Sequence, residues 1–296
     1  MAMTTAERRG FQMICGEDGR MLVVACDQRG GMRQALSPDP EARKAITDDQ
    51  LGDVKIDIAR HLARGAAVLV DPLCALPRMV DEGLLHRETA LLVGLDASGW
   101  DTSAVGFRVS TMVPGITARR VRELGGTGGK VMVYLRSDSP AASDANLATL
   151  RVVTRDFAAE DLLLVTEFLT YVLPSEAEEE YRDKAGELAV GGARLCLEAG
   201  ANVLKIPYPG SPEACSAVTS VAGDVPWAVL SAGVDHATFL GQVKHAMANG
   251  ASGVIAGRSL WKDCVSLDRA ETQRRLTGVA RPRLEELRAV IARHPA

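Results

Sequence analysis

Lys205 stands inside the stretch Ala201-Asn-Val-Leu-Lys205-Ile-Pro-Tyr-Pro-Gly210, an apolar run with Gly200 before it and Pro207 and Pro209 after it. An ammonium in such a run is costly to bury unless a partner meets it. Two readings are open. Its head reaches back to water along its aliphatic stem, or its amine is a desolvated nucleophile able to form a Schiff base with a carbonyl. The second reading needs a proton-transfer group, an anchor for the substrate and a fold that brings them together.

Other polar side chains follow apolar runs in the same way. Cys26-Asp27-Gln28-Arg29-Gly30-Gly31 follows the first. Asp27 there either caps a turn or holds or deprotonates a sugar hydroxyl, and the glycines let the backbone turn or approach a ligand. Asp71 and Asp96, after the second and third runs, read as turn residues. Lys130 opens the fourth run and reads as a solvated lysine at a strand start. Arg136 closes it, either as a donor fork for a carboxylate, phosphate or sulfonate or as the ion-pair partner of Asp138. Glu167, between apolar neighbours at the end of the fifth run, is a satisfied structural carboxylate or a general acid/base whose pKa burial raises. Ser231-Ala-Gly233 after the seventh run and Gly257-Arg258-Ser259 after the eighth have the makings of a phosphate cradle, with close backbone N–H groups and a bidentate guanidinium. The plainer alternative for this pair is two tight turns and a surface arginine.

The elements that must position these groups are apolar runs of strand length at residues 21–26, 67–70, 90–95, 131–135, 162–165, 203–206, 227–230 and 253–256. They are near-continuous rather than alternating, as strands buried on both faces should be. Amphipathic helical patterns lie between them at 48–64, 144–159, 176–199 and 237–248, and another at 284–293 closes the chain. Gly200 and Gly250 sit where helix C-caps belong. Eight strand–helix alternations imply an α/β fold of the (β/α)8 TIM-barrel type, with the site at the C-terminal strand ends. The least regular units are the second, where 73–85 allows only a short Pro-interrupted helix, and the third, where 98–129 is long and rich in Gly and Thr. A doubly wound open sheet is disfavoured because no G-x-G-x-x-G follows the first strand.

Composition narrows the class. The 296 residues carry a net charge of -4 with no basic run, which gives no hint of nucleic acid or anionic lipid as partner. Residues 1–15 read as a flexible or short capping N-terminus ahead of a single barrel domain, with no apolar signal segment and no membrane span anywhere. The six cysteines are scattered and mostly in apolar runs, as reduced buried thiols would be. A cytoplasmic protein is expected. The five histidines avoid the strand ends and form no H-E-x-x-H, and no G-x-S-x-G occurs, so a metal site and a serine nucleophile are both unsupported.

In order along the chain, Asp27-Gln28-Arg29, Lys130, Leu135-Arg136-Ser137-Asp138, Glu167, Lys205, Leu230-Ser231-Ala-Gly233-Val-Asp235 and Gly250-Ala-Ser-Gly253…Ala256-Gly257-Arg258 resemble the class I aldolases of the tagatose 1,6-bisphosphate and sulfofructosephosphate type. The Gly-Ala-Ser-Gly, Ala-Gly-Arg-Ser-Leu-Trp and Arg-Ser-Asp runs look closer to the sulfofructosephosphate branch, which serves sulfoquinovose breakdown. The resemblance implies a barrel whose strand-six lysine, Lys205, forms a Schiff base with the ketone of a ketose 1-phosphate. Lys130 and Glu167 match its neighbouring lysine and proton-transfer glutamate, and Asp27 its strand-one aspartate. Ser231, Gly233, Gly257 and Arg258 match its dihydroxyacetone-phosphate cradle. Two positions depart from the pattern: Pro207 replaces a carboxylate, and Phe168 replaces a proline after the glutamate.

The expected reaction is cleavage of 6-deoxy-6-sulfofructose 1-phosphate to dihydroxyacetone phosphate and 3-sulfolactaldehyde. The alternative is cleavage of tagatose or fructose 1,6-bisphosphate to dihydroxyacetone phosphate and glyceraldehyde 3-phosphate. No cofactor is expected, and the family's habits imply a homo-oligomer. Gln28 is placed among the substrate contacts, and Arg29 and Arg136 are the candidates for the anion at carbon six. A barrel isomerase or transaldolase, and a catalytically silent sugar-phosphate binder, are the competing readings.

Overall fold

Eight short runs of Val, Leu, Ile and Ala pair in parallel and close on themselves in the computed structural model, which describes residues 3–294. The strands are β1 (Met21–Ala25), β2 (Ala67–Val70), β3 (Leu91–Gly94), β4 (Gly128–Tyr134), β5 (Leu163–Leu169), β6 (Leu204–Pro207), β7 (Trp227–Leu230) and β8 (Gly253–Ala256). Neighbours follow chain order around the ring, and β8 returns to β1. The expected (β/α)8 barrel is thus the fold observed, with every strand where its apolar run lies.

Alternate residues of each strand face opposite ways, and the two faces have different jobs. On β4, Val131 and Val133 face out into the shell that packs against helices. Lys130, Met132 and Tyr134 face the lumen. The lower lumen is filled by Met21, Val23, Leu69, Leu92, Leu163, Val165, Val203 and Ile255. These layers leave no passage; polar groups begin above them, toward the C-terminal strand ends.

The N-terminus is a helix, Thr5–Met13, with a reciprocal cap in which Thr4 and Glu7 each accept from the other's backbone. Gly10 packs on Leu163, and Ile14 is fully buried in the lower lumen cluster. Residues 5–14 therefore stopper the bottom of the barrel. The pattern at 176–199 breaks into two helices, Glu178–Asp183 and Ala185–Glu198, and Lys184 between them ion-pairs Asp138 and Glu176. The irregular third unit contains a small hairpin pairing Asp101–Thr102 with Arg108–Val109, and a helix, Ala118–Glu123, capped by Thr117. Phe168 faces outward and fits over Gly192, where any Cβ would meet the ring at 2.3 Å. Its departure from the resembled pattern is a matter of barrel–helix packing.

The seam that closes the ring pairs Met21 with Gly253. Gly253 has φ +142°, and a Cβ there would lie 2.1 Å from the Met21 carbonyl oxygen. Gly253→Ala is expected to destabilise the fold by more than about 2 kcal/mol, measured by urea unfolding. Wild-type stability in that variant would show that the seam opens without cost.

Candidate active site

Five of the lumen's ionisable side chains meet one layer above the apolar filling. Lys130, buried in the middle of β4, lies 2.8 Å from Asp27 Oδ2, 2.6 Å from Asp96 Oδ1 and 3.2 Å from Glu167 Oε2. The same Glu167 oxygen lies 2.8 Å from Lys205 Nζ. Strand register explains the second contact, because Glu167 on β5 pairs directly with Lys205 on β6. Lys205 is 4% exposed, so its head does not reach water along its stem. The expectation that Lys130 is solvated is overturned: it is 2% exposed and held by three carboxylates.

The charges are unequal. Lys130 and Lys205 face Asp27, Asp96 and Glu167, so the acids of the cluster outnumber its bases by one. Burial, reinforced by Asp27 and Glu167, raises the Asp96 carboxyl above its ordinary range. Burial also opposes ionisation of Asp27, but Lys130 and Lys205 outweigh it and hold that carboxyl well below its usual value. The three carboxylates likewise overcome desolvation at Lys130 and keep it an ammonium. The layer thus contains a cation, Lys130, an anion, Asp27, and a carboxyl, Asp96, whose neutral form burial favours.

The cleft above this layer has a volume of about 150 Å³ and is lined by Gln28, Glu167, Leu169, Lys205, Leu230, Ser231, Gly257 and Arg258. The β7 end turns sharply through Ala232 and Gly233, at φ +48° and +85°. A Cβ on Gly233 would lie 3.2 Å from the Arg258 guanidinium carbon, so the glycine is what lets the arginine lie over this turn. Among the described residues that guanidinium has no hydrogen-bond or ion-pair partner. Gln28 donates to Asp27 at 2.8 Å, while its Oε1 is buried without a donor. These are open valences of the kind a ligand fills.

Asp27, Gln28, Glu167, Lys205, Ser231, Gly257 and Arg258 converge on this cleft or its floor, with Lys130 beneath and Gly233 at the turn. Arg29 does not line it, and lies instead against the Asp96 carbonyl at 3.4 Å and Asp71 at 3.8 Å. Arg136 is a correction. All five of its N–H donors are taken: by Asp138 at 2.9 and 2.8 Å, by the Tyr171 carbonyl at 2.6 Å, and twice by Glu176. It is 0% exposed and has no donor left for a ligand. The ion pair with Asp138, left open by the sequence, is the reading the structure shows.

Sequence reasoning missed Asp96 as a partner of Lys130, and also a second buried pair. Lys55, on the helix Asp48–Leu62, reaches Asp71 and lies 3.4 Å from the Asp27 carbonyl oxygen. It props the turn that carries Asp27. The signal was present: Leu51, Lys55, Ile58 and Leu62 fall at helical spacing on one face, a lysine on a core stripe.

The family model described as DeoC/LacD family aldolase matches residues 21–263. The chain belongs to this family of aldolases. Tagatose 1,6-diphosphate aldolase 2 of Streptococcus agalactiae is 25% identical, with 90% of this chain and 87% of that one covered. A tagatose 1,6-diphosphate aldolase of Listeria monocytogenes is also 25% identical, covering 90% and 84%. Among solved structures, an archaeal fructose-1,6-bisphosphate aldolase whose catalytic Lys is bound to a carbinolamine intermediate superposes with a TM-score of 0.64 at 21% identity, covering 94% of this chain and 98% of that one. A fructose-bisphosphate aldolase from Slackia heliotrinireducens gives 0.66 at 18% identity, covering 98% and 93%. At these identities the superpositions speak for the fold. Among the described residues, no helix of this aldolase is long and apolar enough to cross a membrane.

The Arg136 cluster predicts a pH-dependent stability. Hydrogen bonds from Arg136 hold Glu176 down to about 2 and keep Asp138 well below the usual carboxylate range. Both folded values lie below the unfolded ones, so this stabilisation is complete above about pH 5 and is lost as pH falls toward the folded values. Arg136→Met is expected to cost about 3–5 kcal/mol at pH 7 in urea unfolding and to flatten the acid limb. Activity per folded molecule should stay within about threefold of wild type, whereas a loss confined to KM for a sugar phosphate would return Arg136 to the ligand site.

Proposed function

We propose that this aldolase cleaves a ketose 1,6-bisphosphate through a Schiff base on Lys205, giving dihydroxyacetone phosphate and glyceraldehyde 3-phosphate. The observation that carries the reading is the shared Glu167 Oε2, 2.8 Å from Lys205 Nζ and 3.2 Å from Lys130 Nζ, below a cleft rimmed by an unpaired arginine. One carboxylate oxygen between a nucleophile and a permanent cation suits repeated proton transfer.

The substrate's 1-phosphate is held by Arg258 and the backbone at Ser231, Gly233 and Gly257, which leaves its ketone over Lys205. The amine adds to the C2 carbonyl, and the carbinolamine loses water to give an iminium ion. Glu167 takes the proton of the C4 hydroxyl. The C3–C4 bond breaks, its electron pair moves into the iminium, and the aldehyde leaves. The enamine is reprotonated at C3, and water then hydrolyses the iminium and frees the lysine. Lys130 stabilises each anionic form of Glu167, and Asp27 with Gln28 fixes the hydroxyls of the sugar chain.

The names of the relatives speak of tagatose and fructose bisphosphates. They move the preference to a phosphate at carbon six, ahead of the sulfonate that the sequence resemblance had placed first. A small-molecule sugar phosphate is the partner in either case, and a homo-oligomer is carried over from the resemblance.

The test is trapping. Borohydride with tagatose or fructose 1,6-bisphosphate, in the presence of a chelator, is expected to leave a reduced three-carbon or hexose adduct on the peptide containing Lys205, read by mass spectrometry. Lys205→Met should abolish both the adduct and dihydroxyacetone phosphate release. A full rate in that variant would favour the isomerase, and wild-type turnover that requires an acceptor aldehyde would favour the transaldolase. Glu167→Gln is expected to lower kcat by about 100-fold or more and still allow the adduct to form; unchanged kcat would remove Glu167 from the proton path.

A further inference from the structure

The cradle at β7 and β8 accounts for one end of a bisphosphate, and the two arginines first considered for the other end are occupied elsewhere. The barrel order places β4 four strands from β8 in either direction, so the two lie on opposite walls. On β4 the lumen-facing residue nearest the mouth is Tyr134, level with Leu169 of β5, which itself lines the cleft. Tyr134 stands two residues, about 7 Å, above the level of the Glu167–Lys205 pair. Ser231 on the far wall stands three residues above the same level, because Lys205 pairs with Ala228. The reactive lysine therefore lies below and between two raised rims.

Arg108 occupies the second rim. It belongs to the hairpin inserted after β3, and its guanidinium carbon lies 4.0 Å from the Trp100 ring centre, 5.3 Å from Tyr134 and 5.1 Å from Tyr171. The rings brace one another edge to face, at 5.6 Å for Trp100–Tyr134 and 5.8 Å for Tyr134–Tyr171. The backbone is pinned from behind, with Asn146 donating to the Arg108 carbonyl and accepting from the Ser110 N–H, both at 2.8 Å. Among the described residues no carboxylate pairs with Arg108. Its neighbour Arg136, by contrast, is fully neutralised. Aromatic faces strip water from a guanidinium without neutralising it, and they leave its N–H edge to meet a planar or tetrahedral anion.

We propose that Arg108, held in the Trp100–Tyr134–Tyr171 box, binds the anion at the substrate end remote from the cradle, a phosphoryl or sulfonyl group on carbon six. The inference rests on the ketose 1-phosphate reading above and adds the group that distinguishes a doubly charged substrate from a singly charged one. A box that only glued the hairpin in place would show no such distinction.

The experiment compares Arg108→Gln with wild type on fructose 1,6-bisphosphate and on fructose 1-phosphate, which lacks the second anion. The expected result is a fall in kcat/KM on the order of 30-fold for the bisphosphate, chiefly through KM, with less than a twofold change for the monophosphate. Equal losses on both, or no loss on either, would overturn the proposal. Equilibrium binding in the silent Lys205→Met background makes the test independent of turnover, with Trp100 fluorescence as the signal and Trp100→Phe as its control. There the bisphosphate should bind more tightly than the monophosphate while Arg108 is present, and the two should bind equally once Arg108→Gln is added. No preference with Arg108 present would overturn the proposal even if cleavage is active. Repeating the titration with 6-deoxy-6-sulfofructose 1-phosphate separates the two anions. Tighter binding than the bisphosphate assigns the box to sulfonate, and weaker binding assigns it to phosphate.

Discussion

Everything in the upper barrel depends on the Lys130 ammonium within its three carboxylates. An ammonium in a lumen of Val, Leu and Ile is untenable alone, and so are three carboxylates within reach of one another. Together they are mutually satisfying, and each comes from a different strand end: Asp27 after β1, Asp96 after β3, Glu167 from β5. The cluster therefore sets the relative positions of the strand ends around Lys205. Lys205, one ion pair farther along, meets the same Glu167 oxygen that Lys130 already holds.

The molecule divides by height. Below the charged layer, apolar side chains and the stopper helix make a dry plug whose task is stability. Above it, the strand-end turns leave groups without a partner: the buried Gln28 amide oxygen and the Arg258 guanidinium. A stable structure leaves such groups open only where a ligand or water completes them. The contrast between Arg136 and Arg108 shows how little residue type decides. Both lie near the top of β4, and one is closed by five bonds while the other is stacked and un-neutralised.

The barrel was legible in the sequence because strands buried on both faces write themselves as continuous apolar runs. Lys205, Glu167 and the turns at Ser231 and Arg258 stood out in the sequence because polar groups at the ends of those runs have few structural excuses. What failed was pairing. Lys130 looked solvated because even the nearest of its three partners along the chain, Asp96, lies 34 residues away, and no local pattern announces a contact closed across a lumen. Arg136 looked free for a substrate because Glu176 sits in what read as a helix start, where an acid needs no partner. The hairpin carrying Arg108 hid in a stretch without periodicity, and only the fold revealed which wall it covers.

The seam between Met21 and Gly253 has a consequence for how the protein comes into being. During synthesis β1 is among the first strands to leave the ribosome, and one of its two neighbours is the last. Until β8 arrives the ring is an open sheet with two bare edges, exposed to other chains. Asp27, Asp96, Lys130, Glu167 and Lys205 all precede β8 along the chain, so every residue of the charged layer is made before the seam can form. The charged centre of this aldolase also penalises misassembly: strands paired in the wrong register turn their side chains to the other face and leave Lys130 without its ring of oxygens.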